Sequence, residues 1–309
     1  MRRFLLLFII VIVVLYFGLS WYFASQIIVF NAPEERTAEW IERYAPDWDV
    51  PLTATVEIQS GENLLVADVY DNPAEGDCGV IIVHGLGGER SLVRQYGSLF
   101  YDLGCDVMSY DFAPWHNDVF LTYGYNEKDD LLNVVNWFAF YTDLPTENIG
   151  IWSESYGAVT TLLMLPEFSD LAWVIADSPY ASMSRIINHQ AQSQFGSAIS
   201  VMIPGAFFVA EQRANFSIAD VSAVDAVSQV DVPLLIIHSE ADDYTPYENS
   251  QEIYDAANFD TTWLVLTDWG SGHTQSYVDN KPAYTEIVYS FLAEFAPDFG
   301  NQEEINNEN

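Results

Sequence analysis

The stretch GIWSESYGAVT, residues 150–160, decides how the rest of this chain is interpreted. Many nucleophilic serines lie on a sharp turn of the pattern G-x-S-x-G that joins a strand to a helix. Here the pattern is S-E-S-Y-G, so Ser153 stands where glycine is usual. The turn strains the backbone of the nucleophile, so the residues two before and two after it must be small. Ser153 and Gly157 both meet that requirement for a nucleophile at Ser155.

Ser153 is a poorer candidate for the nucleophile than Ser155. The residue two positions before Ser153 is Ile151, and a β-branched side chain would collide with such a turn. The surroundings of Ser155 also fit, because a strand-like run (148–152) precedes it and a helix-like run (156–165) follows it. The sequence therefore predicts a nucleophile at Ser155, with serine tolerated at the usual glycine position.

Strand-like and helix-like patterns alternate on both sides of this turn. Two runs around residues 61–62 predict an opening antiparallel hairpin. Short apolar runs bounded by turn residues are typical of strands buried on both faces of a parallel sheet. Their alternation with helix patterns predicts a three-layer α/β sandwich with a mostly parallel sheet and right-handed crossovers. The runs are GVIIVHG (79–85), CDVMSYDF (105–112), NIGIWSES (148–155), LAWVIADS (171–178), PLLIIHSE (233–240) and TTWLVLTD (261–268).

One interval interrupts this alternation. Residues 181–230 carry a mixed amphipathic pattern, which predicts a helical lid over the carboxyl edge of the sheet. An ordinary pair of packing helices is the alternative. We expect one α/β domain over residues 53–298, preceded by a connector at 31–52 and followed by a disordered tail at 299–309.

The N-terminal segment, residues 1–30, has two arginines followed by a long uncharged apolar run. Residues 4–23 supply the roughly 20 apolar residues that span a bilayer core. Arg2 and Arg3 favour a cytoplasmic N-terminus, which places the rest of the chain outside the cell membrane. We therefore expect a single-pass transmembrane anchor. A cleaved signal peptide is the alternative, although its apolar region would be shorter.

The charge balance argues against polyanionic partners. The chain has 10 Lys+Arg against 45 Asp+Glu, a formal net charge of −35. Because this field repels polyanions at long range, neither nucleic acid nor an anionic lipid surface is an expected partner.

The two cysteines, Cys78 and Cys105, form no C-x-x-C pair, so they give no support to a zinc or redox site. Each precedes an apolar strand-like run. If those strands are neighbours, the cysteines form either a disulfide or two buried thiols, and the sequence leaves both open. No metal or cofactor is predicted.

A serine hydroxyl is a weak nucleophile and needs a base, usually a histidine that a carboxylate orients. Of the five histidines, His273 lies in the glycine-rich loop DWGSGHTQS (268–276), after the last strand-like run. Such a loop can bring an imidazole over the serine, so His273 is the expected base. The other four lie in a strand, the lid, a segment after the fourth strand and a glycine turn: His238, His189, His116 and His84.

The acid is expected between the serine and the histidine in chain order. HSEADDYTP (238–246) places Asp242 and Asp243 just after a strand-like run. We select Asp242. Asp243 remains a close alternative, and Asp177, at the end of another strand-like run, is a third.

A developing oxyanion needs two backbone N–H donors. One is expected from Tyr156, the residue after the nucleophile. The other is expected from Leu86 in the turn HGLGGERS (84–91), whose glycines allow close backbone approach. An ordinary glycine turn before a helix is the alternative for this segment.

From about residue 60 to residue 295, these stretches together resemble the α/β-hydrolase superfamily, in particular bacterial hydrolases related to serine aminopeptidases, lysophospholipases and acylglycerol lipases. In that resemblance HSEADD aligns with the pattern H-G-x-x-D, whose aspartate is the triad acid, and this favours Asp242. Two departures replace glycine with Ser153 and Ser239. A third is DFAPWHND (111–118), where relatives usually carry an R-G-H-G-like turn.

The resemblance implies a serine hydrolase, and the N-terminal segment predicts that it is membrane-anchored with its α/β-hydrolase domain outside the cytoplasm. Ser155, His273 and Asp242 would form the triad, and Leu86 and Tyr156 the oxyanion hole. An acyl ester is the first expected substrate, and a peptide or amide the second. A non-catalytic envelope protein that uses the fold for binding is the alternative from another class.

Overall fold

An eight-stranded sheet forms the centre of the protein, in the strand order β1-β2-β4-β3-β5-β6-β7-β8. The computed structural model describes residues 2–31, 36–46, 48, 50–74 and 76–301. The pairs β1–β2 and β2–β4 are antiparallel, and the other pairs are parallel. The strands are β1 (Ala54–Ser60), β2 (Asn63–Tyr70), β3 (Gly79–Val83), β4 (Asp106–Asp111), β5 (Ile149–Glu154), β6 (Trp173–Asp177), β7 (Leu234–Ser239) and β8 (Thr262–Thr267).

Helices connect the strands and cover the sheet. They are α1 (Arg2–Ile28), α2 (Ala38–Tyr44), α3 (Arg90–Val93), α4 (Ser98–Tyr101), α5 (Ala113–His116), α6 (Glu127–Thr142), α7 (Ser155–Met164), α8 (Met183–Phe195), α9 (Ile203–Ala214), α10 (Ala223–Val227), α11 (Glu248–Ala256), α12 (Ser276–Asp279) and α13 (Lys281–Phe295). Short 3-10 turns occupy Arg94–Gly97, Thr146–Asn148, Ser197–Val201 and Ile218–Asp220.

The sheet separates two hydrophobic cores. Alternate residues of β3 divide between them, with Ile81 and Val83 in one cluster and Val80 and Ile82 in the other. Because side chains alternate across a strand, the two clusters lie on opposite faces of the sheet. Every residue of β3 is buried, as expected for a parallel strand covered by helices on both sides. The predicted three-layer sandwich with a mostly parallel sheet is confirmed.

The predicted opening hairpin is the pair β1–β2, with Ser60 opposite Asn63 across the turn. Each of the six apolar runs contains one of the strands β3 to β8. Cys78 and Cys105 form a disulfide with Cα atoms 4.7 Å apart, just before the neighbouring strands β3 and β4. Of the two arrangements left open by the sequence, the structure contains the disulfide.

The interval predicted as a lid is helical. Residues 181–230 contain α8, α9 and α10 and lie between β6 and β7. The predicted connector at 31–52 contains α2, but residues 32–35, 47 and 49 lie outside the described residues. Residues 302–309 of the tail predicted to be disordered also lie outside them.

The N-terminal helix α1 is a single helix of 27 residues that is long and apolar enough to cross a membrane. From Phe4 to Leu15 its side chains are exposed. The second half is different, because Ser20, Ala24 and Ile28 are fully buried. This half packs against α9, so α1 is both an exposed apolar helix and part of the folded domain.

Candidate active site

The junction of β5 and α7 holds Ser155 in a strained backbone conformation. Its φ is +50°, in the left-handed region that residues other than glycine rarely adopt. Gly157 packs directly against the strand beside it, because a Cβ there would lie 2.5 Å from the His84 carbonyl oxygen and 2.8 Å from that of Val83. The predicted strand–turn–helix setting around Ser155 is present, and its second small position accepts only glycine.

Ser153, at the position where glycine is usual, is fully buried. Its Oγ donates a hydrogen bond of 3.0 Å to the carbonyl oxygen of Ile175 in β6. A buried hydroxyl without a partner would be destabilising, and this hydrogen bond removes that penalty. Serine therefore replaces glycine here because the neighbouring strand offers an acceptor.

Ser155, His273 and Asp242 form a hydrogen-bonded chain. His273 Nε2 lies 2.7 Å from Ser155 Oγ, and His273 Nδ1 lies 2.6 Å from Asp242 Oδ2. The three residues follow β5, β8 and β7 respectively, and the carboxyl ends of parallel strands meet at one edge of the sheet. The structure thus brings together the three residues that the sequence analysis selected separately.

Four hydrogen-bond donors surround the buried carboxylate of Asp242. Oδ1 accepts the backbone N–H groups of Tyr244 at 3.0 Å and Thr245 at 2.8 Å. Oδ2 accepts from His273 and from His238, the latter at 3.1 Å. Burial alone would raise the pKa of Asp242, but the hydrogen bonds from the two histidines and the backbone outweigh it and lower the pKa well below its usual value. The carboxylate is therefore ionised across the neutral pH range.

His238 is a functional candidate that the sequence analysis treated only as a strand residue. Its Nε2 lies 2.7 Å from the Thr245 carbonyl oxygen as well as near Asp242 Oδ2, and both are acceptors. Nε2 must therefore carry the proton, and Nδ1 accepts from Ser250 Oγ at 2.6 Å. The sequence feature that could have predicted this contact is the spacing of four residues between His238, at the end of a strand, and Asp242.

The two alternative acids occupy other positions. Asp243 is exposed, and its carbonyl oxygen lies 2.9 Å from His189 Nε2 in the lid. Asp177 is buried, and its carboxylate accepts from Ser178 Oγ at 2.7 Å and Tyr284 Oη at 2.9 Å. Within the described part of the chain, neither carboxylate is hydrogen-bonded to His273.

The two residues predicted for the oxyanion hole flank the serine. Tyr156 is the second residue of α7, so its N–H has no acceptor within the helix. Leu86 lies in the turn after β3 and lines the same cleft of about 300 Å³ as Ser155 and His273. The turn approaches the serine closely, because a Cβ on Gly85 would lie 3.2 Å from Ser155 Cβ.

Glu154 is a second group that the sequence analysis did not single out. Its carboxyl group accepts the Gly85 N–H at 3.2 Å and lines the cleft beside Ser155. Desolvation raises the pKa of Glu154 to about 8, and Asp177 adds to that effect while the Gly85 N–H opposes it. Through its hydrogen bond to Gly85, the carboxyl group of Glu154 joins the turn that carries Ser155 to the turn that carries Leu86.

Among the residues that the structure describes, no group of three or more His, Cys, Asp or Glu side chains could hold a metal ion. The remaining histidines have local partners. His116 Nε2 lies 2.8 Å from Asp111 Oδ2, and His84 Nδ1 lies 2.8 Å from the Gly85 carbonyl oxygen.

The chain is similar to known proteins over most of its length. Residues 113–298 match the prolyl oligopeptidase family. The uncharacterised protein YqkD of Bacillus subtilis (strain 168) is 32% identical over 217 residues, which are 69% of this chain and 70% of that protein. The lysophosphatidylserine lipase ABHD12 of Macaca fascicularis is 23% identical over 233 residues, 71% of this chain and 56% of that protein.

Solved structures with the same fold include an esterase and a peptidase. The Pyrococcus furiosus esterase Pf2001 superposes with a TM-score of 0.66 at 19% sequence identity, and the match covers 86% of this chain and 98% of the esterase chain. The Pyrococcus horikoshii acylaminoacyl peptidase gives a TM-score of 0.61 at 15% identity, covering 80% of this chain and 42% of its own. At these identities the likeness shows the α/β-hydrolase fold.

Proposed function

The chain belongs to the prolyl oligopeptidase family and is a serine hydrolase, and on that premise we propose that it is a membrane-anchored enzyme that cleaves an acyl ester. We assign Ser155, His273 and Asp242 as its triad. The observation that carries the assignment is the hydrogen-bonded chain, with 2.7 Å between Ser155 Oγ and His273 Nε2 and 2.6 Å between His273 Nδ1 and Asp242 Oδ2.

The first half of the reaction forms an acyl-enzyme. Ser155 Oγ attacks the carbonyl carbon while His273 Nε2 takes its proton, and Asp242 stabilises the imidazolium. The N–H groups of Leu86 and Tyr156 hold the oxyanion of the tetrahedral intermediate. When the ester C–O bond breaks, His273 returns the proton to the leaving alcohol.

The second half restores the enzyme. Water attacks the acyl carbon while His273 takes its proton. As the bond to Ser155 Oγ breaks, His273 returns that proton to Oγ, and the carboxylic acid leaves. Loss of one oxyanion donor typically costs about 10²–10³ in turnover, so the close approach of the turn at Gly85 to the serine matters for rate.

A peptide or amide substrate is the second candidate. The family description and the structural likeness to an acylaminoacyl peptidase favour it, while the likeness to an esterase, which matches almost the whole length of that protein, favours the ester. Both substrates use the same triad, so they differ only in the leaving group.

Membrane anchoring is supported by α1, whose exposed apolar residues would be unfavourable in water. Arg2 and Arg3 precede the apolar run and favour a cytoplasmic N-terminus. The disulfide between Cys78 and Cys105 is consistent with an oxidising, extracytoplasmic location of the domain.

A fluorophosphonate probe tests the assignment of Ser155. The probe should label the wild type and the control Ser153→Gly, because only Ser155 is activated by His273, and Ser155→Ala should not be labelled. Labelling that survives Ser155→Ala would refute this nucleophile, and an unlabelled wild type would favour the non-catalytic binding protein. The same preparations, offered butyrate esters and aminoacyl anilides, should cleave the esters faster.

A further inference from the structure

A second cavity lies between the N-terminal helix and the lid, apart from the cleft that contains Ser155. Its volume is about 130 Å³. One wall comes from the end of α1, including Phe23 and Ile27, and the opposite wall comes from α8 and α9, including Phe195 and Phe207. The lining is mainly apolar, with Gln26 of α1 and Gln190 and Gln194 of α8 as its polar members. The cavity is formed by the packing of α1 on the lid.

The backbones of α1 and α9 approach each other closely, so α1 is not a flexible tether to the domain. A Cβ on Gly205 of α9 would lie 2.3 Å from Ser20 Oγ and 2.7 Å from Tyr16 Oη. Small residues allow helix backbones to approach in this way, and Ser20 and Ala24 are completely buried by it. Tyr16 Oη also donates to the Val201 carbonyl oxygen at 3.3 Å. The wall that α1 contributes is thus a fixed part of the fold.

If α1 spans the membrane as proposed above, this cavity lies at the outer edge of the hydrocarbon core, because Phe23 is the last residue of the span and Ile27 lies beyond it. Residues 4–23 extend about 30 Å at about 1.5 Å per residue, which matches the hydrocarbon core. Contacts with the lid begin at Tyr16, in the outer part of that span. The lid exposes apolar side chains near the same place, with Val201 70% and Phe208 56% exposed.

Two side chains connect the cavity to the catalytic cleft. Gln190 lines the cavity and lies near Tyr244, which lines the catalytic cleft and whose ring lies 4.9 Å from the His273 ring. Tyr123 also lines the cavity, and its ring centroid lies 5.9 Å from that of Tyr156, the residue after Ser155. A ligand in the cavity is therefore separated from the triad by one layer of side chains.

We propose that this cavity binds the far end of the acyl chain of a lipid ester taken from the outer leaflet, and that the side chains of Tyr123, Gln190 and Tyr244 part to let the ester carbonyl reach Ser155. The inference rests on the proposed function and names its substrate class. The volume is well below the roughly 300–1,000 Å³ typical of drug-sized ligands, so the cavity accommodates only part of one acyl chain. The net charge of −35 favours a lipid whose head group carries no net negative charge.

Ala191 of α8 lines the cavity and is partly exposed, so a larger side chain there should obstruct the cavity without overpacking the core. Ala198, in the following 3-10 turn, is exposed and gives a matched control. We expect Ala191→Phe, as full-length protein in phosphatidylcholine nanodiscs, to lower the ratio of kcat/KM for p-nitrophenyl laurate over butyrate at least about tenfold. Ala198→Phe should keep the wild-type ratio. An unchanged ratio in Ala191→Phe would overturn the proposal.

A binding readout separates this proposal from the proposed function. A dodecanoic acid that carries a photoactivatable diazirine should crosslink to peptides of α1 and α8 in the Ser155→Ala protein. Adding Ala191→Phe should abolish that labelling, and adding Ala198→Phe should not. If the wild type cleaves no ester but the labelling follows this pattern, acyl-chain binding in the cavity is supported and the proposed ester hydrolysis is refuted. Labelling that is unchanged by Ala191→Phe would refute acyl-chain binding in the cavity.

Discussion

At the scale of single residues, the most constrained group is the carboxylate of Asp242. Two backbone N–H groups and two imidazoles donate to it, and His238 is held in turn by Ser250 and Thr245. These donors fix the carboxylate geometry and keep its pKa low, so His273 has a charged partner over the whole range in which an imidazole titrates.

This arrangement predicts a large difference between two adjacent acids. Asp242→Asn should lower kcat by about 10⁴, because the amide cannot stabilise the imidazolium and favours the wrong tautomer of His273. Asp243→Asn removes an exposed carboxylate that makes no hydrogen bond to His273 within the described chain, and should retain kcat within about twofold. Steady-state kinetics on one ester would measure both. Equal losses would mean that the acid has been misassigned.

At the scale of elements, the site depends on how β5 meets α7. The strand supplies Ser153, whose hydroxyl is bonded to β6, and the helix supplies Gly157, which touches the carbonyl oxygens that end β3. The turn between them carries Ser155 with its positive φ. The two small residues therefore have different roles, since Ser153 has room for a hydroxyl and Gly157 has no room for a methyl group.

The two positions should differ in how strongly a small change in side-chain size affects stability and kcat. Gly157→Ala forces α7 away from β3, so we expect a loss of about 1–3 kcal/mol in the free energy of unfolding and a clear fall in kcat. Ser153→Gly loses one hydrogen bond, about 1 kcal/mol, and should keep kcat near wild type. Urea denaturation and ester kinetics on the same samples test this. A fully active Gly157→Ala protein would contradict it.

At the scale of the whole molecule, the disulfide and the N-terminal helix stabilise two different parts of the sandwich. The disulfide ties the starts of β3 and β4 together, and α1 packs through its second half against the lid that follows β6. The large negative charge works against compactness, because like charges repel more in the folded state than in the expanded chain.

Removing the disulfide should lower stability without removing activity. Cys78 and Cys105 are 27 residues apart, and closing a loop of that length is worth about 3–4 kcal/mol in the unfolded chain. The double variant Cys78→Ser, Cys105→Ser should lose about that much unfolding free energy, while its kcat stays near wild type because the bridge is at the amino ends of the strands. Guanidinium denaturation would measure the loss, and wild type treated with a reductant is the control. An unchanged midpoint would contradict the prediction.

Sequence alone was sufficient for the architecture and for selecting Ser155, His273 and Asp242. Hydrophobic periodicity and turn residues act locally, so they are visible along the chain, and the resemblance of HSEADD to the pattern H-G-x-x-D favoured Asp242 over Asp243. The resemblance to α/β-hydrolases is likewise confirmed by the family match. The assignment of the triad, of the oxyanion donors and of membrane anchoring remains a prediction.

Only the tertiary structure decided which distant groups meet. The approach of His238 to Asp242, the acceptor that β6 offers to Ser153, and the contact of Gly205 with Ser20 join segments whose packing no local pattern specifies. The pairing of Cys78 with Cys105 was left open for the same reason, since it required the order of the strands. Hydrophobic periodicity predicts which face of a helix or strand a side chain occupies. The distant residue that it contacts is determined only when the whole chain packs.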